Sequence, residues 1–197
     1  MCILVTIFAI VLYAKNYNPY YLVTDKQIST IIKKENVNIL GTETIYRENI
    51  PVTVISYTLN NEIGIIEASN LNGKLKYLKS QSTSINKQKK VGIMGANAGL
   101  KYVVITFFDE KIKENTNQIL ISFKNKQKLI DYIGTEDISI IVPLDDIIEK
   151  SLTTVELDID FIDKSKNVIY RYPPKSVTDN HDIDYYEYLY SSKESVK

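Results

Sequence analysis

The amino-acid sequence predicts a mostly β protein of the α+β class: an N-terminal apolar helix, then one helix on a four-stranded antiparallel meander, then a roughly seven-stranded β-sandwich. Three observations predict it. Residues 1–14 are free of charge until Lys15, a capping sequence at Thr24 opens one stretch of helical periodicity, and from Val37 onward apolar residues recur with period two between polar turns. The expected domains are an anchor and joint (1–23), a small α+β module (24–82), a linker (83–90), a β-sandwich module (91–174) and a flexible tail (175–197).

The leading segment, Met1 to Ala14, covers about 21 Å as a helix, against about 30 Å of bilayer hydrocarbon. It is short for a span, and a membrane anchor, a signal-peptide core and a buried strand all compete for it. No Lys or Arg precedes the run, and Leu12 stands where a cleavage site needs a small residue, so a cleaved signal is disfavoured. The many Ile, Val and Thr residues suit a strand, but the unalternating run exceeds the usual strand length of about 5–6 residues. Cys2 precedes the run instead of following it, which argues against a lipoprotein anchor. A membrane-inserted helix is therefore expected, with Tyr17, Tyr20 and Tyr21 at the membrane–water boundary or on the first fold element.

Thr24-Asp-Lys-Gln27 has the form of a capping box. The helix it opens places Ile28, Ile31 and Ile32 on one face, leaves Lys33, Lys34 and Glu35 solvated and should end near Asn36 to Asn38. Strands are expected at 37–47, 52–59, 63–69 and 74–80, with Asn72-Gly73 as the clearest hairpin turn because both residues tolerate positive φ. Further strands are expected at 91–94, 101–108, 118–123, 128–133, 138–142, 153–162 and 168–172, a spacing that favours a sandwich. Tyr102–Phe108 is apolar on both alternating faces and is the expected central strand. In 153–163, Val155, Leu157, Ile159 and Phe161 should face inward, with Glu156, Asp158 and Asp160 outward. Tyr172-Pro173-Pro174 closes the unit, because proline cannot donate to a ladder.

Composition narrows function more by exclusion than by assignment. Lys+Arg and Asp+Glu each number 24, so no overall basic charge points to nucleic acid. The single Cys rules out an intrachain disulfide and a Cys-based zinc site. The neutral total nonetheless hides a separation. Lys74, Lys76, Lys79, Lys87, Lys89 and Lys90 fall in one acid-free stretch, whereas residues 131–163 hold ten acids against Lys150 alone. Such runs are usually solvated faces, but the basic stretch is a candidate for an anionic partner or for self-association.

No motif carries recognisable chemistry. Gly92-Ile-Met-Gly95-Ala-Asn-Ala-Gly99 matches neither a dinucleotide fingerprint nor a phosphate loop and is expected to be a tight strand-to-strand loop. Asp145, Asp146 and Glu149, and separately Glu156, Asp158 and Asp160, fit a solvated strand face better than the curved backbone of a calcium loop. His181 is the only histidine and falls in the expected tail, which gives it no fixed partner for acid–base work. No catalytic, cofactor or metal residue is assigned. The expectation is a membrane-anchored, extracytoplasmic, non-enzymatic binding protein of the bacterial envelope. The alternative is a soluble binding or assembly subunit, such as part of a mobile-element or phage structure, whose first segment is a buried strand.

Overall fold

The computed structural model describes residues 19–86, 89–95, 99–132, 137–148 and 157–173. The expected N-terminal apolar helix and C-terminal tail lie outside the described residues. In chain order the elements are β1 (Tyr20–Tyr21), α1 (Asp25–Glu35), β2 (Asn38–Arg47), β3 (Ile50–Leu59), β4 (Glu62–Leu71), β5 (Lys74–Ser84), β6 (Val91–Gly95), β7 (Tyr102–Phe107), α2 (Glu110–Asn115), β8 (Gln118–Phe123), β9 (Lys126–Asp131), β10 (Ser139–Pro143), β11 (Leu157–Ile162) and β12 (Val168–Tyr172). The protein is mostly β, and its strand pairs are antiparallel. Among the described residues no helix is long and apolar enough to cross a membrane.

Helix α1 begins where its cap dictates. The Gln27 amide donates to Thr24 Oγ1 at 3.3 Å, and the Thr24 amide donates to Gln27 Oε1 at 3.0 Å, so two otherwise orphaned donors are satisfied reciprocally. The helix stops at Asn36, which takes the left-handed conformation with φ 54°. Its apolar stripe buries Ile31 fully and Ile28 partly against Ile55, Tyr57, Ile66 and Ala68 of β3 and β4.

The first sheet places β5, β4, β3 and β2 side by side, with β1 as an addition on β4. The reason for β1 lies in Pro51. The β3–β4 ladder ends at Thr53 opposite Ala68, and two residues on the same register would set Pro51, which has no N–H, against Asn70. Tyr21 takes that place against Asn70, and Tyr20 pairs with Leu71. Strand β5 is longer than its sequence suggests. Expected to end at Ser80, it runs to Ser84 because β4 offers ladder partners as far as Glu62, and pairing overrides the polar run Gln81–Ser84.

Strand β7 lies at the centre of a three-stranded sheet, flanked by β6 and β10, and β12, β11, β8 and β9 form a four-stranded one. All of β7 is buried, as its two-faced apolar pattern requires. Val103, Ile105 and Phe107 belong to a core shared with Ile119, Ile121, Leu157, Ile159 and Phe161 of the four-stranded sheet. Tyr102 and Val104 belong to a second core, shared with Ile45, Val52, Val54, Ile63 and Ile65 of the first sheet. The layers therefore run α1, first sheet, three-stranded sheet, four-stranded sheet, and both β3 and β7 are covered on two faces.

Helix α2 is not among the elements that periodicity predicts, since it buries only Ile112. Asp109 makes it, accepting from the amides of Lys111 at 2.9 Å and Ile112 at 3.2 Å. Strand β9 starts two residues earlier than expected, because Lys124, at φ 55°, turns the chain tightly after β8. Of the predicted strand 153–162, residues 157–162 form β11, with Leu157, Ile159 and Phe161 inward as expected, and 153–156 lie outside the described residues.

Candidate functional site

Two polar clusters sit between the first sheet and the three-stranded sheet. In one, Ser56 Oγ of β3 donates to Ser139 Oγ of β10 at 3.1 Å, and Ser139 Oγ lies 2.7 Å from Thr106 Oγ1 of β7. All three hydroxyls are buried, and no acid, base or cation is among these hydrogen-bond partners. A chain of hydroxyls without a base holds strands in register and cannot activate a nucleophile. In the other, Tyr102 Oη donates to Glu67 Oε1 at 2.8 Å. Burial pushes the Tyr102 phenol far above its ordinary value, with the Glu67 carboxylate adding to the shift, so the hydroxyl stays protonated and keeps its donation to Glu67.

A third polar cluster ties α1 to β5. Glu35 accepts from Lys79 Nζ at 2.7 Å and from Tyr77 Oη at 2.7 Å. Lys79 and Tyr77 hold its carboxyl below the usual carboxylate range. Lys34 Nζ lies 5.2 Å from the centre of the Tyr77 ring, and Lys79 Nζ lies 5.9 Å from that of Tyr57. Every group here is used in docking the helix.

The remaining arrangement is on the surface, at the end of the first sheet where the β2–β3 and β4–β5 turns lie. The chain joins the body there. Asn72 N donates to Pro19 O at 2.8 Å, Asn70 Nδ2 donates to Leu22 O at 3.1 Å and to Gln27 Oε1 at 3.3 Å, and Gln27 Nε2 reaches Gly73 O at 3.5 Å. Buried Asn70 thus pins the joint, the first turn of α1 and the β4–β5 turn together. Around this knot, Tyr21 is 51% exposed and Leu22 57%, and Tyr46 on β2 near the β2–β3 turn is 58% exposed. Lys26, Arg47, Lys74 and Lys76 occupy the same end and outnumber Asp25 and Glu48.

The structure does not gather the six lysines of the basic stretch. Lys74 and Lys76 are exposed at the start of β5, and Lys79 is bound to Glu35. Lys90 lies 6.0 Å from the Tyr170 ring on β12, and Lys87 lies outside the described residues. Lys89, between β5 and β6, also has an interaction of its own. What sequence order missed is Lys26, which α1 brings to the end that holds Lys74 and Lys76. The tyrosine run at 17–21 marked this end, but nothing local connected it with the β4–β5 turn.

The other candidates disperse. Gly92 and Gly95 belong to β6, Gly99, at φ 92°, lies beside Arg47 before β7, and residues 96–98 of the expected loop lie outside the described residues. Asp146 pairs with Lys128 at 3.0 Å, Asp145 is exposed beside it, and Glu149 lies outside the described residues. Asp158 is exposed, Arg171 Nη2 donates to Asp160 Oδ2 at 2.6 Å across the β11–β12 ladder, and Glu156 and His181 lie outside the described residues. Among the described residues no group of three His, Cys, Asp or Glu side chains is placed to hold a metal ion. No family model, curated protein or solved structure matches the chain.

Proposed function

We propose that this chain is a membrane-anchored, extracytoplasmic, non-enzymatic binding protein of the bacterial envelope, held by residues 1–14 as an apolar helix. Its body is then the helix-on-meander module followed by a sandwich of the three- and four-stranded sheets. The observation that carries the proposal is the junction. An uncharged apolar run is followed, after residues 15–18, by a joint fixed by Asn70 and Asn72, and the Tyr21 and Leu22 side chains within that joint face solvent. Tyr and Leu exposed at an end of the sheet that also carries Lys26, Lys74 and Lys76 suit the boundary between bilayer and water. Of the basic stretch, Lys74 and Lys76, exposed at the start of the strand that follows the β4–β5 turn, supply the contact to an anionic component.

Fractionation tests the anchor: full-length protein recovered in the soluble fraction without detergent overturns it. Protease added to intact, wall-stripped cells tests the side, and a body that stays protected places it in the cytoplasm. One observation favours the alternative of a soluble assembly subunit. The run is shorter than the bilayer core and rich in Ile and Val, as a strand buried in the body would be.

A further inference from the structure

The end of the body that receives the leading segment has a chemistry of its own. Only residues 15–18 separate the apolar run from Pro19, and four residues extend at most about 14 Å. That reach is close to the Debye length of about 10 Å at 0.1 M salt, so charges at this end feel a charged bilayer while charges farther along the body are screened from it.

We propose that this end, with Lys26, Lys74 and Lys76 around Tyr21 and Leu22, docks on the anionic headgroups of the membrane that holds the chain. The inference rests on the anchor proposed above. Lysine contributes attraction to anionic phospholipid, and exposed Tyr and Leu enter the headgroup layer, which is the combination that interfacial surfaces use. A zwitterionic bilayer offers the second contact without the first. Lys79, paired with Glu35, and Lys90, set against the β12 ring of Tyr170, are exposed but have partners of their own away from this end. Docking fixes the orientation of the body relative to the bilayer.

The test uses the full-length chain with two kinds of vesicle, phosphatidylcholine alone and phosphatidylcholine with phosphatidylglycerol, and follows flotation together with acylation of individual lysines by mass spectrometry. Lys164, exposed in the β11–β12 turn, is the internal control. The expected result is flotation with both vesicles and, on the anionic ones, acylation of Lys74 and Lys76 slowed about tenfold relative to Lys164, with recovery at about 1 M salt. In the Lys26→Gln/Lys76→Gln variant, Lys74 should lose most of that protection. Flotation with both vesicles and equal Lys74 reactivity on both overturns docking and leaves the anchor standing. Flotation on the anionic vesicles alone supports docking and overturns the anchor, and flotation on neither overturns both.

Discussion

Gly41 of β2 and Ser139 of β10 meet backbone to backbone: a β-carbon on Gly41 would lie 2.2 Å from the Ser139 carbonyl oxygen. The two strands belong to different sheets, so this is where the first sheet and the three-stranded sheet close on each other. The β2 bulge between Ile39 and Gly41 bends the strand toward that approach. Gly41→Ala must push the sheets apart, and is expected to cost about 2–3 kcal/mol as an overpacked core does. Urea unfolding checks this, and a change below about 0.5 kcal/mol would mean the sheets can slide at no cost.

The same corner holds the Ser56–Ser139–Thr106 chain, and the order of its members sets the outcome of deleting each. Ser139 is the middle hydroxyl, so Ser139→Ala strips a partner from two buried groups, whereas Ser56→Ala strips it from one. An unsatisfied buried hydroxyl costs about 1–3 kcal/mol. Ser139→Ala should therefore destabilise the protein more than Ser56→Ala does, by at least about 1 kcal/mol in the same denaturation experiment. Equal losses would show that Thr106 finds another hydrogen-bond partner.

Glu35 gives stability a dependence on acid pH. Its carboxyl is held below its ordinary value of 4.5 by Lys79 and Tyr77, so it remains charged in the folded state while the unfolded chain takes up a proton. The contribution is fully present above the unfolded value and is lost as pH falls through the lower, folded one. Glu35→Gln should lower the melting temperature by about 2 °C at neutral pH and converge with wild type in acid. Thermal scans from neutral to acid pH decide it, and a gap that persists or widens in acid contradicts the assignment.

Local chemistry was legible in the sequence. Thr24 and Gln27 form the expected box, Asn72 and Gly73 take positive φ at 52° and 79°, and Tyr102–Phe107 is the doubly covered strand that its two-faced pattern required. Each of these signals spans only a few residues. What the sequence could not show depends on partners distant in the chain. Gly41 reads as an ordinary glycine until Ser139 is brought against it, and Ser80 reads as the end of β5 until β4 supplies the rest of the ladder. The basic stretch looks continuous because Lys74, Lys79 and Lys90 are near in order, but the fold gives one to solvent, one to Glu35 and one to the Tyr170 ring. Lys26 joins Lys74 only through the Asn70 and Gln27 amides, which no periodicity encodes.

The position of the first residue separates an anchor from a core strand. If residues 1–14 only anchor, a chain beginning at Asn18 keeps Pro19, β1 and the Asn70 knot, and should be soluble without detergent and unfold cooperatively. A chain beginning at Thr24 loses both β1 pairs, the bond from Asn72 N to Pro19 O at 2.8 Å and the bond from Asn70 Nδ2 to Leu22 O at 3.1 Å. Asn70 is only 6% exposed and keeps Gln27 Oε1 as its one acceptor, so the loss of Leu22 O together with the β1 pairs should make the shorter chain less stable by about 1–3 kcal/mol. If instead the apolar run is a core strand, the chain from Asn18 lacks many buried aliphatic side chains at about 2–5 kcal/mol each, which exceeds the whole stability of about 5–15 kcal/mol that domains possess. Calorimetry of the two shortened chains decides it. A cooperative transition in the Asn18 chain, lowered in the Thr24 chain, is the signature of an anchor, and no transition in either means that residues 1–14 are built into the body.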